Sequence, residues 1–269
     1  IHYPYEERTI EGKTIHEYRF QVRLNDCFVL MSDGVIYAGA GELLNFGWTW
    51  KDMAEYTLKC TKRTMSASRL AAMLSDACND LYEERPGDDT TIAVAKVIAR
   101  KAVNIFTGPP KNKEDDERII HDFMAQEGKK VIAGGTSANI AARILKKDIV
   151  TSVNYVDMSV PPTASIEGID LVTEGALTLG KSISLLQQYE SGDFDVEFFE
   201  ELDKDNGASK LTKLIIEDCT ELHLFVGTAT NEAYQDKALS FELVMRKNLV
   251  KQIEEVVGKL GKKVSVRYY

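Results

Sequence analysis

Beyond residue 101 the chain alternates short apolar runs with longer stretches of helical periodicity. That alternation constrains the fold more than any other feature. Residues 103–106, 130–133, 152–156, 168–172, 222–226 and 264–268 read as strands. Residues 114–126, 138–146, 177–189, 208–219 and 241–260 read as the helices between them, with apolar side chains recurring every three or four positions. A strand followed by a helix and another strand closes most simply as a parallel pair with the helix lying across it. The expected architecture is therefore α/β with a mostly parallel sheet.

Ligands in such folds collect where strands end. Four of the expected strands run into small polar turns: Thr107-Gly108-Pro109-Pro110, Gly134-Gly135-Thr136-Ser137, Thr173-Glu174-Gly175 and Gly227-Thr228-Ala229-Thr230. The second turn opens a helix, so its N–H groups and hydroxyls suit a phosphate or another anion. Gly134, Gly135, Thr136 and Ser137 are the candidate ligand-binding residues. Glu174 is a further candidate, either as a hydroxyl-binding acid or as a charge on a helix N-terminus. The spacing matches neither a Walker loop nor a dinucleotide fingerprint. The bland reading of these turns is strand termination and helix capping without a ligand.

Residues 1–100 follow a different pattern. Residues 18–24 alternate apolar and polar, Asn25-Asp26 reads as a turn, and Phe28 to Met31 is an apolar run, so a hairpin is expected. The run ends in Ser32-Asp33-Gly34. Thr49 and Ser66 are N-cap candidates for helices over 50–60 and 66–83. Pro86-Gly87-Asp88-Asp89-Thr90-Thr91 then opens a β-branched strand over 90–98. Asp33 at the end of one strand and Asp88 at the start of another meet at one edge if the strands run antiparallel. Two carboxylates there are hard oxygen ligands for a divalent cation, and Gly34 admits its close approach. Read singly, Asp-Gly and Asp-Asp-Thr-Thr are common turns.

Taken together, Val29-Leu30-Met31-Ser32-Asp33-Gly34-Val35, the helical pair and Gly87-Asp88-Asp89-Thr90-Thr91 resemble the C-terminal half of a metal-dependent Ser/Thr protein phosphatase. The type is that of the bacterial sporulation stage II protein E family. The resemblance implies a two-sheet sandwich with outer helices and a binuclear manganese or magnesium centre. It assigns Asp33 and Asp88 as metal ligands, Asp89 to a neighbouring position that is often Asn, and Gly34 to the glycine after the first aspartate. It implies hydrolysis of phosphoserine or phosphothreonine in a phosphoprotein by metal-bound hydroxide, without a phosphoenzyme. The four scattered histidines, His2, His16, His121 and His223, accord with that. The family's earlier bridging aspartate has no counterpart ahead of Asp33, where Gly12 follows Glu11, so the chain is expected to be the C-terminal portion of such an enzyme. The segment after residue 100 resembles the poorly described tail of anaerobic members, through Gly134-Gly135-Thr136-Ser137 and residues 166–175.

Composition bounds the alternatives. A net charge of −9 argues against a sequence-independent nucleic-acid binder. Cys27, Cys60, Cys78 and Cys219 form no close pair, and three of them read as small core residues in a reducing compartment. No apolar run reaches the ~20 residues of a membrane span, and the expected location is cytoplasmic. The expected domains are 1–100, phosphatase-like, and 101–269, α/β. Two functions stand: a metal-dependent protein phosphatase, and a non-enzymatic sensor whose α/β part binds a small anionic ligand or partner protein.

Overall fold

The computed structural model describes residues 4–41, 43–44, 46–64, 66–151, 162–229 and 238–269, with backbone alone at 238–242. The chain divides into two units, Ile1–Ala99 and Arg100–Tyr269.

The first unit begins with a hairpin of β1 (Tyr5–Ile10) and β2 (Lys13–Tyr18). Its turn, Glu11-Gly12, has both residues at positive φ, 48° and 78°, which matches the right-handed twist of the paired strands. β3 (Cys27–Met31) pairs antiparallel with β4 (Ile92–Lys96), with Met31 opposite Ile92. Here the expected hairpin is corrected. Residues 19–24 form no strand, and β3 takes β4 as its neighbour, with Asn25 N–H donating to Val97 at 2.8 Å. Alternation over 18–24 marks an extended segment, but Phe20, Val22 and Leu24 stay 44–57% exposed, and the Phe20 ring meets Phe28 at 5.3 Å without a backbone ladder forming between the two segments. β3 is itself only half-buried rather than a core strand, and Leu30 is 63% exposed.

Three helices follow: α1 (Asp33–Ile36), α2 (Trp50–Thr61) and α3 (Ala67–Leu81). Thr49 and Asp52 form a reciprocal capping box at the start of α2, and Ser66 accepts from Arg69 N–H at the start of α3. Val35, Met53, Leu70, Leu74 and Cys78 form the core of this unit, closed by Val29, Met31, Ile92 and Val94 from the strand pair.

In the second unit β5 (Ala102–Thr107) leads through a 3-10 turn, Lys113–Asp115, to α4 (Asp116–Ala125) and β6 (Lys129–Ala133). After α5 (Gly135–Leu145) come three short strands, β7 (Val150–Thr151), β8 (Ala164–Ser165) and β9 (Leu171–Thr173). Three helices follow, α6 (Ala176–Glu190), α7 (Val196–Leu202) and α8 (Gly207–Asp218), then β10 (Glu221–Val226), α9 (Ala238–Lys259) and β11 (Lys263–Tyr268). The strands make one seven-stranded sheet in the order β11-β10-β5-β6-β9-β8-β7. Strands β11 to β9 in that order are parallel, and β8 is antiparallel to both neighbours. This is an α/β fold with a mostly parallel sheet.

Alternation along the central strands sends Phe106, Ile132 and Val172 to one face, where Ile119, Ile120 and Phe123 of α4 and Ala138 and Ala141 of α5 cover them. Helix α6 packs against α8 and α9. The chain winds outward from β5 through β6 to β9, then returns to place β10 and β11 on the other side of β5. The strand order therefore reverses between β5 and β10.

One expected strand shifts, and two segments show detail beyond their periodicity. The strand expected at 168–172 begins later, at Leu171, and Gly168 lies before it at φ 90°. The acidic run at 114–117 is not wholly solvated: Asp116 is 5% exposed and pairs with Arg143 of α5. Residues 191–205 hold the helix α7, capped by Asp195, whose Phe198 and Phe199 are buried among Tyr189 and Phe194. The strand expected at 152–156 lies outside the described residues.

Candidate functional site

In the first unit the antiparallel β3–β4 pair brings the two acidic motifs to one edge. The ladder continues past the strands, with Ser32 N–H donating to Thr91 at 3.0 Å. Ser32 then ties the motifs with its side chain: its hydroxyl donates to the Asp89 carbonyl at 2.8 Å and accepts from Thr91 N–H at 2.9 Å. Asp33 begins α1 rather than ending β3, which turns its carboxylate toward the helix's positive end. One of its oxygens accepts from Gly34 N–H at 3.1 Å. Asp88 accepts from Asp89 N–H at 2.8 Å. Both aspartates are exposed, as is Asp89. The second oxygen of each of Asp33 and Asp88 has no hydrogen-bond partner among the described residues.

Gly34 is required by close approach. A Cβ there would lie 2.6 Å from the Asp89 carbonyl oxygen. Tyr82, which caps α3, reaches under the same edge and donates to the Gly34 carbonyl at 2.7 Å. Burial first, then the Asp88 carboxylate and more weakly that of Asp33, push its phenol above the ordinary value of 10.0. One buried hydroxyl therefore feels both carboxylates. Among the described residues no group of three or more His, Cys, Asp and Glu converges on a common metal position. The donors suit a hard divalent cation in kind, as two exposed carboxylates with spare oxygens, and fall short in number of a complete ligand set.

In the second unit the turns after β5, β6 and β9 meet around a cavity of about 210 Å³. It is lined by Thr107 and Gly108, by Gly134 to Ser137, by Glu174 and Gly175, and by Met245, Arg246 and Leu249 of α9. All five expected ligand residues, Gly134, Gly135, Thr136, Ser137 and Glu174, lie on this one wall system. The turn after β10 is joined to it by Arg246, whose guanidinium donates to the Gly227 carbonyl at 3.1 Å.

Gly134 caps α5 at φ 121°, with no side chain on the helix's first N–H groups. Gly135 and Thr136 are exposed, whereas Ser137 is 1% exposed and its hydroxyl has no hydrogen-bond partner among the described residues. Glu174 acts as a charge on a helix N-terminus while lining the cavity. Its carboxylate accepts from Leu177 N–H at 3.0 Å and Thr178 N–H at 3.3 Å, closing the start of α6.

The sequence assigns no site role to Ser32, Tyr82 or Arg246. A serine before Asp-Gly was available as a signal for the first. Tyr82 and Arg246 sit in ordinary helical patterns, and only the packing brings them to these sites.

A larger hollow, about 980 Å³, lies at the opposite, amino ends of the strands, near Arg100, Lys129, Asp170 and Glu221. Its charges are already paired, Arg100 with Glu221 at 2.5 Å and Lys129 with Asp170 at 2.7 Å, so it offers a ligand little. No helix among the described residues is long and apolar enough to cross a membrane. The comparisons with protein families, curated proteins and solved structures return no match to this chain.

Proposed function

We propose that the chain carries the C-terminal part of a metal-dependent phosphatase acting on phosphoserine or phosphothreonine in a protein substrate. The observation that carries this reading is the edge shared by Asp33 and Asp88, with Ser32 bonded across to Asp89 and Thr91. Asp33 and Asp88 would hold the metal, each through the oxygen left open by its local N–H bond. Asp89 adds negative charge beside them. Gly34 keeps the two motifs at contact distance, and Tyr82 holds the Gly34 carbonyl from below. Manganese or magnesium bound there would supply hydroxide from bound water and polarise the phosphoryl oxygens. The remaining ligands that such chemistry needs would come from outside these two motifs.

The test is p-nitrophenyl phosphate hydrolysis, with and without manganese, by this chain and by the full product of its gene. Manganese-dependent hydrolysis that Asp33→Ala abolishes supports the reading. A folded full product without hydrolysis removes it.

A second reading has its own observation. The Ser137 hydroxyl, buried and without a partner among the described residues at the start of α5, favours a sensor whose α/β unit binds a small anion. Ligand-induced stabilisation that survives Asp33→Ala would separate this reading from the first.

A further inference from the structure

We infer that the cavity at the carboxyl ends of β5, β6 and β9 binds a small phosphate monoester, its head on the first turn of α5 and its short carbon body on α9. This rests on the second reading above and names the ligand class for it.

Two helices begin side by side here. A Cβ added to Gly175, at the start of α6, would lie 3.4 Å from Cα of Gly134, at the start of α5. Each start carries unpaired N–H groups and the positive end of a helix. The fold satisfies α6 from within, through the Glu174 carboxylate on Leu177 and Thr178. It leaves α5 without any side-chain cap. The chain thus places an oxyanion on one of two neighbouring helix starts and leaves the other open.

Ser137 supplies the independent sign of a missing partner. A Cβ at Gly134 would sit 3.7 Å from its Oγ, so the hydroxyl lies over the first turn of α5, inside the cavity lining. Native proteins rarely leave such a group unpaired, because burying it without a partner forfeits its bond to water. An oxyanion on the N–H groups of Gly135 and Thr136 would also accept from Ser137.

The donor set exceeds what one carboxylate needs. Glu174 uses two N–H groups on α6, whereas α5 offers two N–H groups, the Ser137 hydroxyl and the exposed Thr136 hydroxyl, and the Arg246 guanidinium, itself bonded to the Gly227 and Ala229 carbonyls, adds positive charge on the same cavity wall. Three terminal oxygens of a phosphate match that supply better than two of a carboxylate. At about 210 Å³ the cavity falls below the 300–1,000 Å³ typical of sites for drug-sized ligands, so it fits a head group with a few carbons better than a whole nucleotide. Leu179, Met245 and Leu249 give that short body an apolar wall. The site also touches the point where the strand order reverses, since Arg246 is held by the carbonyl of Gly227 after β10.

The experiment is calorimetric titration of the 269-residue chain with propyl phosphate, butanoate and adenosine monophosphate, repeated on two variants. Ser137→Ala deletes the unpaired hydroxyl and should leave the unliganded protein at least as stable as before. Gly135→Pro deletes one N–H at a first helical position, where proline is accepted and a Cβ meets nothing within 4 Å. The expected result is saturable binding of propyl phosphate, weakened roughly ten- to a hundred-fold by Ser137→Ala and weakened also by Gly135→Pro, with thermal unfolding of both unliganded variants unchanged or raised. Propyl phosphate binding that neither variant weakens would overturn the site. Butanoate binding without propyl phosphate binding would overturn the phosphate class and leave the anion-sensor reading intact. Adenosine monophosphate binding as tightly as propyl phosphate would overturn the size limit and with it the ligand class. Binding of none of the three probes up to millimolar concentration would overturn both this inference and the sensor reading.

Discussion

Tyr82 Oη donates to the backbone carbonyl of Gly34 at 2.7 Å, linking the end of α3 to the first turn of α1 from a ring only 7% exposed. Tyr82→Phe keeps the ring's packing and leaves that carbonyl without its donor. The expected loss is about 1–3 kcal/mol in the first unit. Both tryptophans, Trp48 and Trp50, lie in that unit, so urea unfolding followed by their fluorescence reads the loss without interference from the second unit.

Burial pushes the Cys78 thiol from 9.0 up to about 11, and the Tyr82 phenol moves in the same direction. A group whose folded pKa is raised loses its proton first in the unfolded chain. Its stability contribution is complete below pH 9 and is lost as pH rises toward 11. The tryptophan-detected urea midpoint should therefore hold through pH 8 and fall above pH 9, and Cys78→Ala should flatten part of that fall. A midpoint unchanged to pH 11 would contradict the burial of this thiol.

Asp170 moves the other way. Burial raises its pKa, but the Lys129 ammonium at 2.7 Å and the Lys130 N–H at 2.8 Å outweigh it and hold the carboxyl below 3.8. A depressed carboxyl stabilises the fold above its unfolded pKa and loses that contribution as pH falls through its folded value. The calorimetric transition of the second unit should drop between pH 5 and pH 3. Asp170→Asn should lower it at pH 7 and shrink the difference between the two acidic values.

Two glycines of the second unit separate a required position from a tolerant one. A Cβ on Gly227 would lie 2.1 Å from the Pro109 carbonyl oxygen and 2.2 Å from that of Gly108, so backbone would have to move. Gly227→Ala should cost about 3 kcal/mol or more. Gly135→Ala meets nothing within 4 Å at an exposed helix start and should be neutral or stabilising by up to about 1 kcal/mol. Thermal unfolding of the two variants side by side tests the contrast.

Where a segment's structure depends on its own neighbours, the sequence was a good guide. Thr49 and Ser66 cap the helices they precede because a hydroxyl there reaches N–H groups two or three residues on. The helices α4, α5, α6, α8 and α9 follow their apolar periodicity to within a few residues. The hairpin β1–β2 was missed because Ile10 and Ile15 are 54% and 44% exposed, so its strands carry no buried face for alternation to reveal. Residues 19–24 show the reverse, alternation in a segment that forms no strand.

The sequence by itself determined which residues prefer a strand, a helix start or a turn, and that the parallel part ends in small polar turns. Tertiary structure alone decided the order β11-β10-β5-β6-β9, and so which turns share a cavity. It decided that β3 pairs with β4 across three intervening helices, that Asp116 is buried against Arg143, and that Tyr82 and Arg246 arrive at the two candidate sites. The physical reason is one of range. Capping and periodicity are set by hydrogen bonds and burial preferences within a few residues, whereas strand order and the meeting of distant side chains follow from how whole layers bury their apolar faces together.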